Sequence, residues 1–209
     1  MAKLMTGYDL PMTKGRLEAF TDGVIAVIIT IMVLEMKAPH SGRADLQSLR
    51  PVLPALLSYV LSFIYIGIYW NNHHHLFQAV QRISGMTLWA NLHLLFWLSL
   101  IPFVTSWMGE THFAVWPVVI YGGTLFMSGL AWEIERRVLL RHHGPDSALA
   151  RALGGYRSRK EWASLILYAA AIGVAFVNSW VSCGLYAVVA VVWLVPDRRI
   201  EQEIGTSKL

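Results

Sequence analysis

Hydrophobic residues are concentrated in six runs along the chain, separated by polar stretches. At about 1.5 Å per helical residue, a run of roughly 20 apolar residues spans the ~30 Å hydrocarbon core of a bilayer. The pattern therefore predicts an all-α membrane protein with six transmembrane helices. Their expected positions are about residues 16–36, 52–70, 86–108, 114–131, 162–177 and 180–195.

Composition supports a membrane protein over a soluble domain. Of the 209 residues, 56% are hydrophobic and only 14% are charged, and the mean hydropathy is +0.49. Such a chain is too apolar for an ordinary soluble fold. The one long polar segment, at 132–161, is predicted to be a loop with helical ends. The charged motif of the first run does not recur, so we expect a single six-helix transmembrane domain over residues 1–209.

The basic residues predict the orientation of the chain. With both termini in the cytoplasm, only Lys37, Arg43 and Arg50 of the 17 lysines and arginines lie outside. This asymmetry follows the rule that cytoplasmic loops are enriched in basic residues. We expect a multi-pass protein of the cell membrane whose basic side contacts membrane lipid, and no nucleic-acid partner despite the pI of about 9.3.

The first predicted helix combines a polar start with an apolar stripe. Charged residues in its first third, which would be costly against lipid, should face protein or water. At helical spacing, Val27, Ile31 and Leu34 share one face, and Thr30 interrupts the apolar run. Periodicity alone favours an ordinary helix-bundle core for these three apolar residues. The charged residues are Arg16, Glu18 and Asp22.

A short motif in this helix resembles that of a known family. The sequence R-x-x-x-F-T-D-G contains Arg16, Phe20, Thr21 and Asp22. It resembles the R-x-x-x-F-S-D signature of the transmembrane protein 175 family of potassium channels, with Thr21 in place of the usual serine. The resemblance implies that the first helix lines the pore and that its apolar side chains form the constriction.

Carried over by position, the resemblance also assigns pore residues. It implies that Val27 forms the narrowest ring, with Thr30 about a turn further and Ile31 and Leu34 as additional rings. A larger isoleucine or leucine is common in the family at the position of Val27, which implies a wider pore here.

The same resemblance predicts the assembly and the function. Single-repeat members of the family are homotetramers, and four copies would surround one path. No T-V-G-Y-G segment is present, which excludes a filter of that carbonyl type. We therefore expect a passive channel with moderate preference for potassium over sodium, no cofactor beyond the permeant potassium ion, and no enzymatic activity. A secondary transporter or a proton-leak pathway is the alternative.

Three consecutive histidines, His73 to His75, follow the second apolar run. Adjacent helical side chains point about 100° apart, so the three cannot bind one metal ion, whose ligands usually recur at i and i+3 or i+4. We expect one inward-facing histidine, His73, to meet the polar start of the first helix, where Arg16, Asp22 and His73 would satisfy one another. The alternative is that these histidines are simply hydrated at the membrane interface.

The surrounding sequence extends the resemblance. The pattern W-x-x-H-x-x-L-F is present from Trp70 through His73 to Phe77, and in the family this histidine helps to brace the signature motif. The third apolar run also looks like the corresponding helix of the family. It contains Asn91, and Pro102 predicts a kink in this run.

Overall fold

The computed structural model describes residues 13–38, 45–145, 147–153 and 159–194. In this part of the chain the regular structure is helical, with a short 3₁₀ segment at Leu46–Val52. The helices are α1 (Lys14–Leu34), α2 (Leu53–Gln78), α3 (Gly85–Ser99), α4 (Ile101–Glu110), α5 (Val115–His143), α6 (Ala148–Ala152), α7 (Arg159–Ala175) and α8 (Ser179–Leu194).

Local capping explains where several helices begin and end. The Thr13 side chain accepts a hydrogen bond from the backbone N–H of Arg16 and starts α1. A reciprocal capping box between Ser84 and Thr87 starts α3. Gly144, at φ +84°, ends α5 in a conformation that favours glycine.

Two helices extend well beyond the predicted bounds. The helix predicted at 52–70 continues through the histidine run to Gln78, and the helix predicted at 114–131 continues to His143. The polar residues that follow the apolar run in each case predicted that the helix ends at the membrane surface. Several polar side chains of the additional turns nevertheless pair within their helix, as His74 and Gln78 do in α2. In α5, Glu133 pairs with Arg136 and Arg137 at the i,i+3 and i,i+4 spacings.

The third predicted span is divided in two at Leu100. Pro102 lies in the first turn of α4, where its missing N–H leaves no intrahelical bond unmade. The predicted kink at this proline is therefore confirmed, as a break between α3 and α4. The pair still forms one apolar segment, Gly85–Glu110, long enough to cross a bilayer.

Helix α5 lies at the centre of the packing, against α3, α4, α7 and α8, whereas α1 packs on α2, α3 and α4. The contact of α5 with α8 is especially close, since a Cβ added at Gly122 would lie 1.9 Å from the Tyr186 hydroxyl oxygen. Small residues permit such approaches between membrane helices.

Four segments of the described chain are long and apolar enough to span a membrane: Lys14–Leu34, Leu46–Gln78, Gly85–Glu110 and Val115–His143. Helices α7 and α8, of 17 and 16 residues, pack against each other and against α5. The architecture is an all-α membrane fold, as the apolar runs predicted.

Side-chain contacts show which helix ends share a side of the molecule. Lys14 Nζ at the start of α1 donates to the Gln78 carbonyl at the end of α2, 3.3 Å away. At the opposite side, Lys37 after α1 pairs with Glu110 at the end of α4, at 2.6 Å.

Candidate pore helix and its polar anchor

The two faces of α1 differ sharply in burial. One face packs against the subunit, with side chains that are at most 3% exposed. On a second face Val27 is 54% exposed and Leu34 is 79% exposed. The buried residues are Leu17, Thr21, Ile25, Ile28 and Met32. We call the second face the exposed stripe; it comprises Phe20, Gly23, Val27, Ile31 and Leu34.

The interpretation of Val27, Ile31 and Leu34 as subunit core is therefore wrong. At 100° per residue, the exposed stripe falls within an arc of roughly 80° on the helix. Its centre lies about 120° around the helix from the centre of the buried face. These side chains face either lipid or another subunit.

An open groove of about 990 Å³ runs beside the exposed stripe. Its walls are α1 on one side and the end of α3 with α4 on the other, and it extends along α1 from Ala19 to Glu35. The lining is mostly apolar, with charge confined to Glu35, Lys37 and Glu110 at one end. The described residues of the chain leave this groove open.

Thr30 lies at the edge of the exposed stripe and is itself exposed. Its hydroxyl donates to the Val27 carbonyl oxygen at 2.9 Å. Because the hydrogen is used within the helix, the hydroxyl oxygen retains acceptor capacity toward the outside. Thr30 can therefore present a partial negative charge next to Val27.

Closer to its N-terminus, α1 is held by hydrogen-bond contacts among three buried polar residues. We call these residues the polar anchor: Thr21, Asn91 and His73. Asn91 Nδ2 donates to Thr21 Oγ1 at 2.9 Å, and Thr21 Oγ1 also lies 3.2 Å from Asn91 Oδ1. His73 Nε2 lies 3.0 Å from the same Oδ1. All three residues are at most 3% exposed.

The expected mutual pairing of Arg16, Asp22 and His73 is wrong. Asp22 is exposed, and its Oδ1 accepts from Trp70 Nε1 at 3.0 Å. Arg16 is exposed, and no ion pair of its side chain occurs within 13–38, 45–145, 147–153 and 159–194. The reason is helical geometry, since Thr21 and Asp22 point about 100° apart and only Thr21 faces the third helix.

The histidines of the run point in different directions. His73 is buried and stacks on Phe77, with ring centroids 4.3 Å apart. His74 is exposed and stacks on Trp70 at 6.1 Å, and its ring nitrogen contacts Gln78. His73 is therefore the member of the run that joins the interhelical contacts.

A charged cluster in the second half of α5 was missed by the sequence analysis. Glu133 binds Arg136 through two hydrogen bonds of 2.8 and 3.0 Å and also accepts from Arg137. Arg136 Nε lies 3.8 Å from Glu161 of α7. The E-x-x-R-R spacing of residues 133–137 is the signal that indicates a helix here.

Glu135 was also missed. It is fully buried, and its Oε1 lies 3.7 Å from His73 Nε2 of the polar anchor. No feature of the sequence separates it from its charged neighbours.

Comparison with known proteins shows the family to which the chain belongs. Residues 16–102 match the family described as endosomal/lysosomal potassium channel TMEM175. A potassium channel from Chryseobacterium sp. (strain P1-3) is 52% identical over 92% of this chain and 98% of its own. The chain belongs to the TMEM175 family. Its relatives are named as channels and not as enzymes.

Two further similarities extend this result. The crystal structure of a homologue of the lysosomal potassium-selective channel TMEM175, from Chamaesiphon minutus, superposes on this chain with a TM-score of 0.72 at 29% identity. The match covers 87% of this chain and 96% of that one. The human endosomal/lysosomal proton channel TMEM175 is 34% identical over 43% of this chain and 20% of its own length. The TMEM175 fold thus extends over nearly all of this chain.

Proposed function

We propose that this chain is a potassium channel in which copies of α1 surround a central ion path, with moderate preference for potassium over sodium. The observation that supports this most directly is the exposed stripe of α1. A helix that buries one polar-anchored face and leaves an ordered apolar face open is suited to contact a shared axis. The potassium-channel relatives make an ion path the best explanation of that face.

The proposed selectivity arises at an apolar constriction formed by Val27. A ring too narrow for hydrated ions requires each cation to shed part of its water shell. Potassium is larger and less tightly hydrated than sodium, so it loses less free energy in shedding that water. Ile31 and Leu34 form further apolar rings in this account, and such rings can also close a pore by dewetting.

Thr30 contributes to the preference in this proposal. Its oxygen, with the hydrogen bonded to the Val27 carbonyl, is available to a partly dehydrated cation beside the constriction. Valine is a small side chain, so the ring is expected to be wide and the preference moderate. This places part of the selectivity on the hydroxyl.

We further propose a homotetramer in the cell membrane with both termini in the cytoplasm. One subunit cannot enclose a path, because the groove beside α1 is open. A neighbouring subunit would cover that groove, and rotational symmetry would place four Val27 side chains around one axis. Potassium ions and membrane lipid are then the expected partners.

The proposal is tested with purified protein in liposomes under a potassium gradient. Flux and reversal potential against sodium are measured for the wild type, Val27→Asn and a control, Val33→Asn. Val33 is 44% exposed on the same helix but points about 120° away from Val27. We expect Val27→Asn to raise flux and lower selectivity, and Val33→Asn to change neither. A wild type that carries no ion flux contradicts the proposal.

Proton permeation is a second candidate, favoured because the human relative is named a proton channel. The same liposomes, with impermeant salts and an internal pH dye, measure it directly. Proton flux that persists without potassium and rises in Val27→Asn would support a shared path. A secondary transporter is distinguished by flux that saturates with substrate concentration, whereas channel current follows the driving force.

A further inference from the structure

Glu135 occupies an unusual position in α5. Its side chain is fully buried, and neither carboxylate oxygen has a hydrogen-bond partner in the structure. The side chain of His73 lies within ion-pair distance of it, with Nε2 3.7 Å from Oε1. Burying a carboxylate without a hydrogen-bond partner costs free energy of folding. A role of Glu135 toward His73 would explain why this residue occupies the site.

The hydrogen bonds of the polar anchor determine where the His73 hydrogen must be. Asn91 Nδ2 donates to Thr21, so the Asn91 group that faces His73 is the Oδ1 acceptor. Nε2 of His73 must therefore carry a hydrogen. A neutral histidine can carry its hydrogen on either nitrogen, and the choice follows from the surrounding partners.

We propose that Glu135 is a positioning residue that keeps a hydrogen on Nε2 of His73 and thereby fixes Asn91 in the orientation that holds Thr21 of α1. A carboxylate on the Nε2 side of the ring stabilises the N–H there through its negative charge. The consequence for ion flow rests on the proposed function of α1, whereas the effect on the histidine does not.

The position of the polar anchor gives this relay influence over the pore helix. The described side-chain hydrogen bonds between α1 and other helices involve Lys14, Thr21 and Asp22, all of which precede Gly23. Further along, α1 is held by apolar contacts of Ile25 and Ile28 on its buried face. Apolar contacts are non-directional, so the rotation of α1 about its axis depends on the anchor.

Other charged groups of α5 form a separate cluster. Glu133 pairs with both Arg136 and Arg137, and Arg136 Nε lies 3.8 Å from Glu161 of α7. His73 of α2 is the group that faces Glu135 across a helix interface. Glu135 thus connects α5 to α1 through His73 and Asn91.

The first test reads the His73 ring directly by NMR of ¹⁵N-histidine-labelled protein. The His73 signals are assigned by their loss in His73→Gln, and spectra are compared for wild type, Glu135→Gln and Glu135→Leu. We expect protonation at Nε2 in the wild type and a shift toward Nδ1 protonation in Glu135→Leu, with a smaller shift in Glu135→Gln. A His73 signal that is unchanged in a folded Glu135→Leu protein overturns the proposal.

Ser182→Ala is the matched control for this experiment. Ser182 is fully buried, its hydroxyl has no hydrogen-bond partner, and it lies on α8 outside the relay. Its loss should leave the His73 spectrum unchanged. If Glu135→Leu fails to fold, Glu135→Gln alone decides, since an unchanged His73 spectrum in that variant also contradicts the assignment.

The second test asks whether the relay positions α1. In liposomes, the potassium-to-sodium permeability ratio of Glu135→Leu should fall about threefold, the size of effect typical of residues that couple through a packed network. Combining it with Thr21→Val should add little, because both changes interrupt one relay. An altered His73 spectrum with an unchanged permeability ratio would refute the positioning role. A wild type without ion flux would refute the proposed function while leaving the spectroscopic result intact.

Discussion

The part of α1 before Gly23 and the rest of the helix are held in opposite ways. Near its start, Thr21 and Asp22 make directional hydrogen bonds to two different helices. Beyond Gly23 the described contacts to neighbouring helices are apolar, and the Thr30 hydroxyl bonds within α1 itself. One end fixes the orientation of the helix. The exposed stripe further along is apolar, as the proposed constriction requires.

This contrast teaches that the two parts of α1 have different tasks. The signature residues Thr21 and Asp22 hydrogen-bond to neighbouring helices and anchor α1, while Val27 and its neighbours form the exposed stripe. Under the proposed function, changes at the start of α1 should therefore lower stability and alter the rotation of the helix, whereas changes on the exposed stripe should alter permeation with little effect on stability.

The largest expected effect comes from removing the centre of the polar anchor. Asn91→Leu leaves Thr21 and His73 without their shared partner, and unsatisfied buried groups of this kind cost about 2 kcal/mol. The free energy of unfolding in mixed micelles measures this loss. Asn71→Leu is the control, because Asn71 is half-buried on α2 and lies outside the anchor. An Asn91 variant as stable as the control would show that the anchor does not hold α1.

A smaller effect is expected at the second polar contact. Trp70→Phe keeps the aromatic ring but removes the donor to Asp22, and should lower the free energy of unfolding by about 1 kcal/mol because a charged acceptor loses its partner. Trp116→Phe, at an exposed tryptophan of α5, serves as the control. Equal effects of the two substitutions would contradict a specific role for the Trp70 hydrogen bond.

Thr30 should affect ion preference with little effect on stability. Thr30→Ala removes the hydroxyl oxygen, and we expect the potassium-to-sodium permeability ratio to fall about twofold, as for a contact of about 0.4 kcal/mol. Thr30→Ser retains the oxygen and should retain the preference. Reversal potentials in liposomes compare the two variants, and an equal loss in both would remove the hydroxyl from the account.

The smallest effect is expected at the far end of α1. Glu110 raises the pKa of Lys37 above its ordinary value of 10.5 through a hydrogen bond and its charge. The folded pKa is the higher one, so the contribution of this pair to stability is present below 10.5 and is lost as pH rises through the folded value. Lys37→Met should lower the melting temperature slightly at pH 7 and low salt. The difference should vanish in high salt, because the pair is exposed.

The sequence predicted the membrane class and the bounds of α1 to within two residues. It predicted less well the ends of helices that continue beyond an apolar run, such as α2 and α5. Glu133, Glu135 and Arg136 resemble a solvated segment in sequence, but packing of α5 against α3 and α7 buries them. Only the positions of other helices determine whether such charges face protein or water.

The candidate site was predictable in part. Asn91 was recognised as a polar residue inside an apolar run, but its partners lie on α1 and α2 and depend on how those helices rotate. The same reason explains the wrong pairing of Asp22 with His73, since a change of one residue moves a helical side chain by about 100°.

The central claim, that the exposed stripe of α1 lines the ion path, is tested most directly by cysteine accessibility. The chain has one native cysteine, Cys183, so Cys183→Ser gives a background for Val27→Cys and Val33→Cys. A membrane-impermeant cationic thiol reagent is added to liposomes during potassium flux. The account predicts that the reagent blocks flux through Val27→Cys and leaves Val33→Cys unaffected. Block at Val33→Cys alone would place the path on a different face of α1 and contradict the account.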